Sequence, residues 1–347
     1  MGYRVCGITI DMSTATFVLL ASGFYLSSLA LSPLAAQPRN FPQPPPPREV
    51  TITAIPGVIA AGAKWTLVYQ SNVNSDGIVG SPDGGLLFAQ EQRNQISKLD
   101  KKDKFSAFLT NPHGPGAVAI GPKGQILAVE RTCTDPGGKP DECKEPTDIA
   151  QLTPSRKVLA DSFMGKGLGR INDLVAAKNG GVYFTSGGAY YLSPTGQVSS
   201  IGENLRTNGI NLSRDEKTLY VTNGPVITAF DVQPDGLVKN QREFGKLETG
   251  GNGDGMAIDS EGRIYDATAP GIQVLSPEGK YLGLIPTPRN GISVAFSGPG
   301  KKWLYVVGNG AVGPDGKEIT TPPGVRNTAM TIYKIPMLAQ GFKGRAK

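Results

Sequence analysis

The sequence contains a single histidine, His113, and only three cysteines among its 347 residues. One histidine cannot build a metal site that needs two, and a Ser-His-Asp triad would have to use His113 itself. Charged residues make up 18% of the chain, and no stripe of Lys and Arg is interleaved with aromatic residues. Nucleic acid is therefore not an expected partner. No glycine-rich loop opens a helix after a strand, which argues against nucleotide binding.

Glycine and proline are abundant, with 46 and 28 residues. Because glycine supplies positive φ and proline fixes φ in turns, this composition is typical of many short strands joined by tight turns. The hydrophobic fraction of 39% is too high for a disordered chain and is enough for a sizeable core. The net charge of +6 would mildly attract anionic substrates.

The N-terminal part of the chain differs in composition from the rest. Arg4 precedes an apolar run over residues 14–36, which predicts a signal peptide or an uncleaved membrane anchor at 1–36. A Pro-rich linker at 37–48 follows it. We therefore expect an exported protein, periplasmic or extracellular, with a single domain at 49–340 and a basic tail at 341–347.

Two cysteines, Cys133 and Cys143, remain outside the predicted leader, with nine residues rich in Gly, Pro and charge between them. A zinc site would need further ligands, and no histidine lies nearby. A disulfide that closes this short loop agrees with export. We expect the Cys133–Cys143 disulfide.

One sequence unit recurs six times: a small or polar residue, an alternating strand, a turn with Gly or Asp, and a second strand. The copies begin at Asp76, Gly116, Asn172, Asn208, Asp254 and Ile292. No stretch after residue 50 has a sustained helical period, and units of about 40 residues with about four strands each are propeller blades. The sequence therefore predicts an all-β, six-bladed β-propeller with four-stranded antiparallel blades. The segment 50–69 is expected to add the outer strand of the last blade and close the ring.

The repeat starts fall on one ring, because the first strand of each propeller blade lines the central channel. Four of the six positions carry side-chain oxygens, namely Asp76, Asn172, Asn208 and Asp254. Two carboxylates and two amides suit one divalent cation, most readily Ca²⁺, with Mg²⁺, Mn²⁺ or Zn²⁺ as alternatives. Since Asn-Gly and Asp-Gly are also ordinary turn pairs, a purely structural role for each residue stays open. Gly116 and Ile292 are expected to leave one side of the ring open for water and substrate.

Three motifs, in this order, resemble the gluconolactonase, senescence-marker protein and luciferin-regenerating enzyme family. They are Arg170-Ile-Asn172-Asp173 followed by Gly180–Thr185, Asn208–Ser213 followed by Thr218–Thr222, and Gly253–Asp259 leading to Tyr265. The resemblance covers about residues 70–310. It implies a six-bladed propeller with a single catalytic divalent cation, usually calcium, and many members of the family hydrolyse sugar lactones.

Carried over position by position, the resemblance implies cation ligands at the four oxygen-bearing ring residues. It further implies that Asp254 acts as the general base and that Arg170, with Asp173 nearby, binds the substrate. The sequence departs from the family at three places: Asp76-Gly77-Ile78 replaces a common Glu-Gly-Pro, Gly116-Ala117 replaces a frequent Asn-Gly, and Ser186 replaces the Asp of Phe-Thr-Asp-Pro. These departures leave the substrate open.

The predicted function is an exported, metal-dependent hydrolase of lactone or ester bonds, foremost of a sugar lactone, with the cation at the top of the channel. The expected partner is a small-molecule substrate, with no obligate protein partner. Two alternatives stay open: a non-catalytic, metal-stabilised sugar-binding propeller, and an arylesterase or phosphotriesterase on the same scaffold. His113, three residues before Gly116, is either a loop residue without a catalytic task or a base at the channel mouth.

Overall fold

The computed structural model describes residues 41–131 and 146–345. Apart from the 3-10 turns Glu91–Arg93 and Pro299–Lys301, the regular structure in these ranges consists of strands. Positive-φ glycines lie in the turn between the first two strands in five of the blades, at Gly84, Gly124, Gly180, Gly262 and, in blade 6, Gly298 and Gly300, as the high glycine content predicts. Within these ranges, no helix has the length and apolar character that crossing a bilayer requires.

The strands form six four-stranded antiparallel sheets, each a blade, and one small hairpin. The first strand among the described residues is β1 (Thr66–Ser71). Blade 1 contains β2 (Asp76–Gly80), β3 (Leu86–Gln90), β4 (Gln95–Leu99) and β5 (Phe105–Thr110). Blade 2 contains β6 (Pro115–Ile120), β7 (Ile126–Glu130), β8 (Asp148–Gln151) and β9 (Lys157–Ala160). The small hairpin follows, with β10 (Ser162–Phe163) and β11 (Lys166–Gly167).

The remaining four blades follow in chain order. Blade 3 contains β12 (Leu174–Ala176), β13 (Val182–Ser186), β14 (Gly188–Leu192) and β15 (Val198–Ile201). Blade 4 contains β16 (Thr207–Leu212), β17 (Thr218–Asn223), β18 (Val226–Val232) and β19 (Val238–Lys246). Blade 5 contains β20 (Met256–Ile258), β21 (Ile264–Thr268), β22 (Gly271–Leu275) and β23 (Tyr281–Pro286). Blade 6 contains β24 (Gly291–Ser297), β25 (Trp303–Asn309), β26 (Met330–Pro336) and the first strand of the chain, β1.

The ring is closed by strands from both ends of the domain. In blade 6, β1 pairs antiparallel with β26, with Thr66 opposite Lys334 and Ser71 opposite Met330. The expected outer strand from residues 50–69 is thus present, slightly later in the chain. The six-bladed propeller predicted from the repeats is confirmed.

The apolar core lies between neighbouring blades. Alternate residues of the inner strands pack on the next sheet, as when Ile78 of blade 1 contacts a cluster that includes Val307 and Ile332 of blade 6. Between blades 5 and 6, the rings of Tyr265 and Phe296 meet edge to face, with centroids 4.8 Å apart. Each fully buried side chain of this size contributes about 1.5–3 kcal/mol, so the blades hold one another in place.

The described part of the Pro-rich segment packs on the propeller. Nη1 of Arg289 donates to the carbonyl of Pro45 at 3.2 Å, and the backbone N–H of Arg48 donates to the carbonyl of Pro288 at 2.8 Å. The loop that joins β25 to β26 is tied to the same segment, because Nδ2 of Asn327 donates to Oε1 of Gln43 at 3.0 Å. This segment therefore braces the loop.

Candidate active site

The repeat-start residues lie where the inner strands begin, at one end of the channel. Asp76, Asn208 and Ile292 occupy the first or second position of their inner strands, whereas Asn172 and Asp254 precede theirs by two residues. At four blades the pairing of inner and second strands shifts next to the ring position, for example between Asp76 and Val79. Such a β-bulge re-aims one side chain out of the strand's alternation.

The four residues predicted to bind a cation line one cavity of about 340 Å³, together with Arg170. The side chains of Asp76, Asn172, Asn208 and Asp254 are half-buried. Two of them touch directly, since Nδ2 of Asn172 donates to Oδ1 of Asn208 at 2.7 Å. The structure therefore brings together residues that span most of the propeller in sequence.

Small residues beside the ring let the inner strands approach closely enough for this. A Cβ placed on Gly209 would lie 2.0 Å from the carbonyl oxygen of Asp254, and one on Gly77 would lie 2.3 Å from Cα of Ala117. Real Cβ atoms cannot occupy such positions without moving the neighbouring backbone. The Asp-Gly and Asn-Gly pairs seen in the sequence thus serve close packing as well as turning.

The two ring carboxyls are electrostatically strained. Burial raises the pKa of Asp254 well above its usual value, and the carboxylates of Asp76, Asp266 and Asp173 raise it further. Burial also raises the pKa of Asp76, and the guanidinium of Arg131 partly offsets this. Because burial and the neighbouring carboxylates disfavour the charged form of both groups, a divalent cation between them would relieve the repulsion.

The donor set fits a hard cation. Within residues 41–131 and 146–345, no group of three or more His, Cys, Asp or Glu side chains is arranged to hold a metal ion. The cavity instead offers two carboxylates and two amides, and oxygen donors of this kind suit Ca²⁺ or Mg²⁺, whereas imidazole and thiolate ligands suit Zn²⁺. The residues present therefore fit the cation that the sequence motifs imply.

Glu91 holds Arg170 in place at the cavity wall. Nη1 of Arg170 donates to Oε1 of Glu91 at 3.0 Å, and Nη2 donates to Oε2 at 3.2 Å. The carboxylate side chain is only 1% exposed, whereas that of Arg170 is 36% exposed. Such a two-point contact fixes the plane of a guanidinium, so Arg170 is oriented before any substrate arrives.

Arg131 fills the ring position that was expected to be open at blade 2. A Cβ on Gly116 would lie 2.1 Å from Cζ of Arg131, so the space beside this glycine belongs to the guanidinium. Arg131 donates to the carbonyls of Ile171 and Asn172 and contacts Oε2 of Glu91 at 3.4 Å. The expectation of an opening at Gly116 is wrong, because the side chain of Arg131, the residue that follows the second strand of the same blade, occupies this space.

Asp173 lies behind the ring and does not line the cavity. It is 6% exposed; its Oδ1 accepts from the backbone N–H of Leu174 at 2.9 Å, and its Oδ2 accepts from that of Ile210 at 3.4 Å. The structure thus places Asp173 as a link between blades 3 and 4, away from the surface that a substrate would contact. His113 is half-buried with a φ of 53° and also lies outside the cavity lining.

The chain matches a known protein family over most of the propeller. The model of the SMP-30/Gluconolactonase/LRE-like region matches residues 75–309. The chain belongs to this family. A curated relative, the gluconolactonase of Zymomonas mobilis, is 29% identical over 273 residues, which cover 66% of this chain and 71% of the relative. Pentonolactonase XacC of Haloferax volcanii is 29% identical over 187 residues, covering 50% and 64% of the two chains.

Solved structures share the fold of this family member. A gluconolactonase from Xanthomonas campestris superposes with a TM-score of 0.64 at 20% identity, covering 86% of this chain and 98% of the other. A calcium-binding regucalcin from Agrobacterium tumefaciens superposes with a TM-score of 0.62 at 16% identity, covering 80% and 95%. At these identities the likeness supports the propeller architecture and no finer statement.

Asp266 is a further buried carboxyl of this SMP-30/gluconolactonase-type site that sequence reasoning missed. Its Oδ1 accepts from the backbone N–H of Asp254 at 3.2 Å, and its Oδ2 has no hydrogen-bond partner among the described residues. Burial raises its pKa well above the usual value. Asp266 thus supports the main chain at Asp254 from behind.

Glu91 and Arg131 could have been predicted from their positions within the repeats. Each is the first residue after the second strand of its blade, β3 or β7. An acid at this position in one blade and a base in the next predicts a contact across the blade boundary.

A second cavity, of about 570 Å³, opens at the far end of the channel, where inner strands end at Gly80 and Ile120. Glycine, proline and basic residues dominate its lining, so the oxygen cluster belongs to the smaller cavity. The predicted leader at 1–36 and the Cys133–Cys143 disulfide lie outside the described residues, and both stay predictions.

Proposed function

We propose that this protein is a metal-dependent lactone hydrolase whose reaction takes place in the 340 Å³ cavity. The observation that carries the proposal is the convergence of Asp76, Asn172, Asn208 and Asp254 beside a pre-oriented Arg170. The names of the curated relatives, gluconolactonase, pentonolactonase and lactonase, support a lactone as substrate. A sugar lactone is the substrate class that we propose.

The four ring residues would hold the cation, with Ca²⁺ as the proposed ion. When bound, a divalent cation supplies polarisation of the lactone carbonyl and stabilises negative charge that develops on its oxygen. The choice of ion rests on the donors, because carboxylate and amide oxygens are ligands that Ca²⁺ prefers.

Asp254 is the proposed general base. Its side chain lines the cavity next to the other proposed ligands, where a carboxylate can accept a proton from an attacking water. The oxygen of the attacking water then forms a bond to the carbonyl carbon of the lactone. The bond between that carbon and the ring oxygen breaks. The proton taken up by Asp254 then passes to the ring oxygen, which leaves as a hydroxyl group of the hydroxy-acid product.

The surroundings of Asp254 fix its position. Its backbone N–H donates to the carbonyl of Ala267 at 2.9 Å and to Oδ1 of Asp266 at 3.2 Å. Arg170, held by Glu91, would orient hydroxyl groups of the substrate. Because these groups are arranged before binding, less ordering is required in the reaction.

The Asp254→Asn variant tests the proposal. We expect a loss of lactone turnover of about 10²–10⁴-fold, because an amide cannot accept the proton, with the circular dichroism spectrum and melting profile retained. Asp215→Asn is the matched control, since Asp215 lies in the exposed turn between β16 and β17 and should keep full activity. Unchanged turnover in Asp254→Asn would remove this residue from the mechanism.

A panel of lactones, aryl esters and phosphotriesters, assayed with and without a chelator, separates the alternatives. Chelator-sensitive turnover of lactones supports the proposal. Faster turnover of aryl esters or phosphotriesters would instead favour an arylesterase or phosphotriesterase. Stabilisation by sugars without turnover would favour a propeller that only binds.

Export is proposed on the N-terminal sequence alone, with the apolar run at 14–36 as its support. N-terminal sequencing of the protein recovered from cell fractions would test it. A cytoplasmic protein that retains residues 1–36 would contradict it.

A further inference from the structure

Arg326 introduces a positive charge at the rim of the candidate active site. It lies in the loop between β25 and β26, is exposed, and lines the same cavity as Asp76, Asp254 and Arg170. Within residues 41–131 and 146–345, no carboxylate forms an ion pair with it. Its guanidinium therefore faces the cavity without a charge partner of its own in this part of the chain.

The other arginines near the cavity differ in this respect. Arg170 and Arg131 both contact Glu91, at 3.0 and 3.4 Å. Their positions are set by the protein, whereas Arg326 is available to an incoming molecule. A planar guanidinium with several donors matches carboxylate and phosphate groups in particular.

The loop holds Arg326 at this place through its neighbours. Asn327 is 9% exposed, and its Nδ2 donates to the carbonyl of Ile319 at 2.7 Å and to Oε1 of Gln43 at 3.0 Å. Oγ1 of Thr328 donates to the carbonyl of Asn72 at 3.4 Å. Because the backbone next to Arg326 is fixed, binding requires ordering of one side chain and not of the whole loop.

The exposure of the charged side chains in the cavity lining points in the same direction. The lining contains three carboxylates (Asp76, Glu91, Asp254) and two arginines (Arg170, Arg326). Of these five charged side chains, Arg326 alone is exposed. It is therefore the charge at this site that can attract an anionic group of a molecule arriving from solvent.

We infer that the substrate is an anionic lactone, with a carboxylate or phosphate group outside the ring, and that Arg326 binds this group. The inference rests on the proposed lactone hydrolysis and adds a substrate class to it. The ring-opening step is unchanged, and the anionic group keeps all its atoms. Arg326 is then a residue that determines specificity and takes no part in proton transfer.

Three lactones distinguish the possibilities, each assayed on the full chain with CaCl₂ present. D-Glucono-1,5-lactone is the neutral probe, D-glucaro-1,4-lactone carries a carboxylate, and 6-phospho-D-glucono-1,5-lactone carries a phosphate. We expect kcat/KM to be higher for one anionic lactone than for the neutral one by about tenfold or more, as a charge-assisted contact allows. The two anionic probes show which group is preferred.

The Arg326→Gln variant tests the residue. We expect it to lower kcat/KM on the preferred anionic lactone by about 10- to 100-fold and to leave the neutral lactone within about twofold. Arg326→Lys should retain part of the preference, because the charge persists without the planar fork. Arg242→Gln, at an exposed position of β19, makes the same change in net charge and should alter neither rate.

Two outcomes separate this inference from the proposed function. If the wild type hydrolyses the neutral lactone and Arg326→Gln leaves the ratio of anionic to neutral rates unchanged, the inference is overturned and the lactone hydrolase stands. If the wild type hydrolyses none of the three lactones with cation present, the proposed function is contradicted, and the inference with it.

Discussion

Arg131 and Glu91 are a buried ion pair, with both side chains 1% exposed. Burying two charges is costly, and such a pair is stable only when its hydrogen bonds are satisfied. Here the guanidinium also donates to the carbonyls of Ile171 and Asn172. The pair therefore joins blades 1, 2 and 3 at the point where Asn172 enters the cavity.

Replacing Arg131 with Leu is expected to lower the free energy of unfolding by about 3 kcal/mol, because two carbonyls lose their donor, whereas Glu91 keeps Arg170 as a charged partner. Urea unfolding followed by circular dichroism measures this. The control is Arg242→Leu, which removes an exposed pair with Asp231 at 2.8 Å and should leave the free energy of unfolding almost unchanged, because solvent screens exposed ion pairs. Equal losses in the two variants would show that burial adds nothing to the Arg131 pair.

At the residue scale, the sequence predicts ring positions and misses their supports. Asp76 and Asp254 could be predicted as ring residues because both stand at the first position of the repeated unit. Asp266 is missed because it lies on a second strand, and nothing local marks its contact with the main chain of Asp254. Asp173 is placed by the family motif beside Asn172, yet the alternation of the chain turns its side chain toward blade 4.

At the element scale, the inner strands matter most, because their close approach sets the width of the channel. Gly77 has a φ of +46°, and a Cβ there would lie 2.3 Å from Cα of Ala117 in the next inner strand. The two strands touch main chain to main chain at this point. A side chain of any size would push blades 1 and 2 apart where Asp76 projects into the cavity.

Gly77→Ala is therefore expected to destabilise the protein by about 3 kcal/mol or more, through backbone strain and overlap together. The matched control is Gly124→Ala, since Gly124 also has positive φ (+80°) but a Cβ there would meet nothing within 4 Å. Gly124→Ala should lower the free energy of unfolding by about 1 kcal/mol, because it introduces backbone strain without overlap. Melting temperatures compare the two, and an equal decrease would mean that the close approach is not limiting.

The approximate positions of the strands could be predicted from the alternation of apolar and polar residues. The residues at which the strands begin could not be predicted in this way. The repeat starts Asn172 and Asp254 precede β12 and β20 by two residues. The reason is that their backbone N–H groups bond to Thr185 and Ala267 in bulged pairing that the sequence period does not encode.

At the scale of the whole molecule, a cation bound at the axis would link four blades that otherwise meet only through their neighbours. Asp76, Asn172, Asn208 and Asp254 come from blades 1, 3, 4 and 5. Any ligand that binds only the folded ring stabilises it by mass action. Stability and cation concentration should therefore be coupled.

We expect CaCl₂ at about 100 times its dissociation constant to stabilise the fold by about 2.7 kcal/mol, which is about 5 °C or more in melting temperature. EDTA should reverse the shift, and Asp76→Asn should reduce it, while Asp215→Asn should retain it. A melting temperature that is the same with calcium and with EDTA would contradict a cation site of this kind.

The number of blades was accessible from the sequence because six copies of one unit repeat along it. The packing of residues 43–48 on the loop after β25 could not be predicted, because a Pro-rich segment has no periodic pattern that indicates which surface it contacts. Contacts such as Asn327 to Gln43 join segments at opposite ends of the chain, and only the closed ring brings them together.

The pairing of β1 with β26 has a consequence for synthesis and assembly. Among the described strands, the first to be synthesised pairs with the last, and most of the chain lies between Ser71 and its partner Met330. Until β26 has been synthesised, β1 has no strand to pair with, and afterwards β26 presents an open edge until β1 pairs with it. An open edge of this kind can accept the same strand from a second copy. Slow folding at high concentration would therefore favour dimers that exchange their first strands.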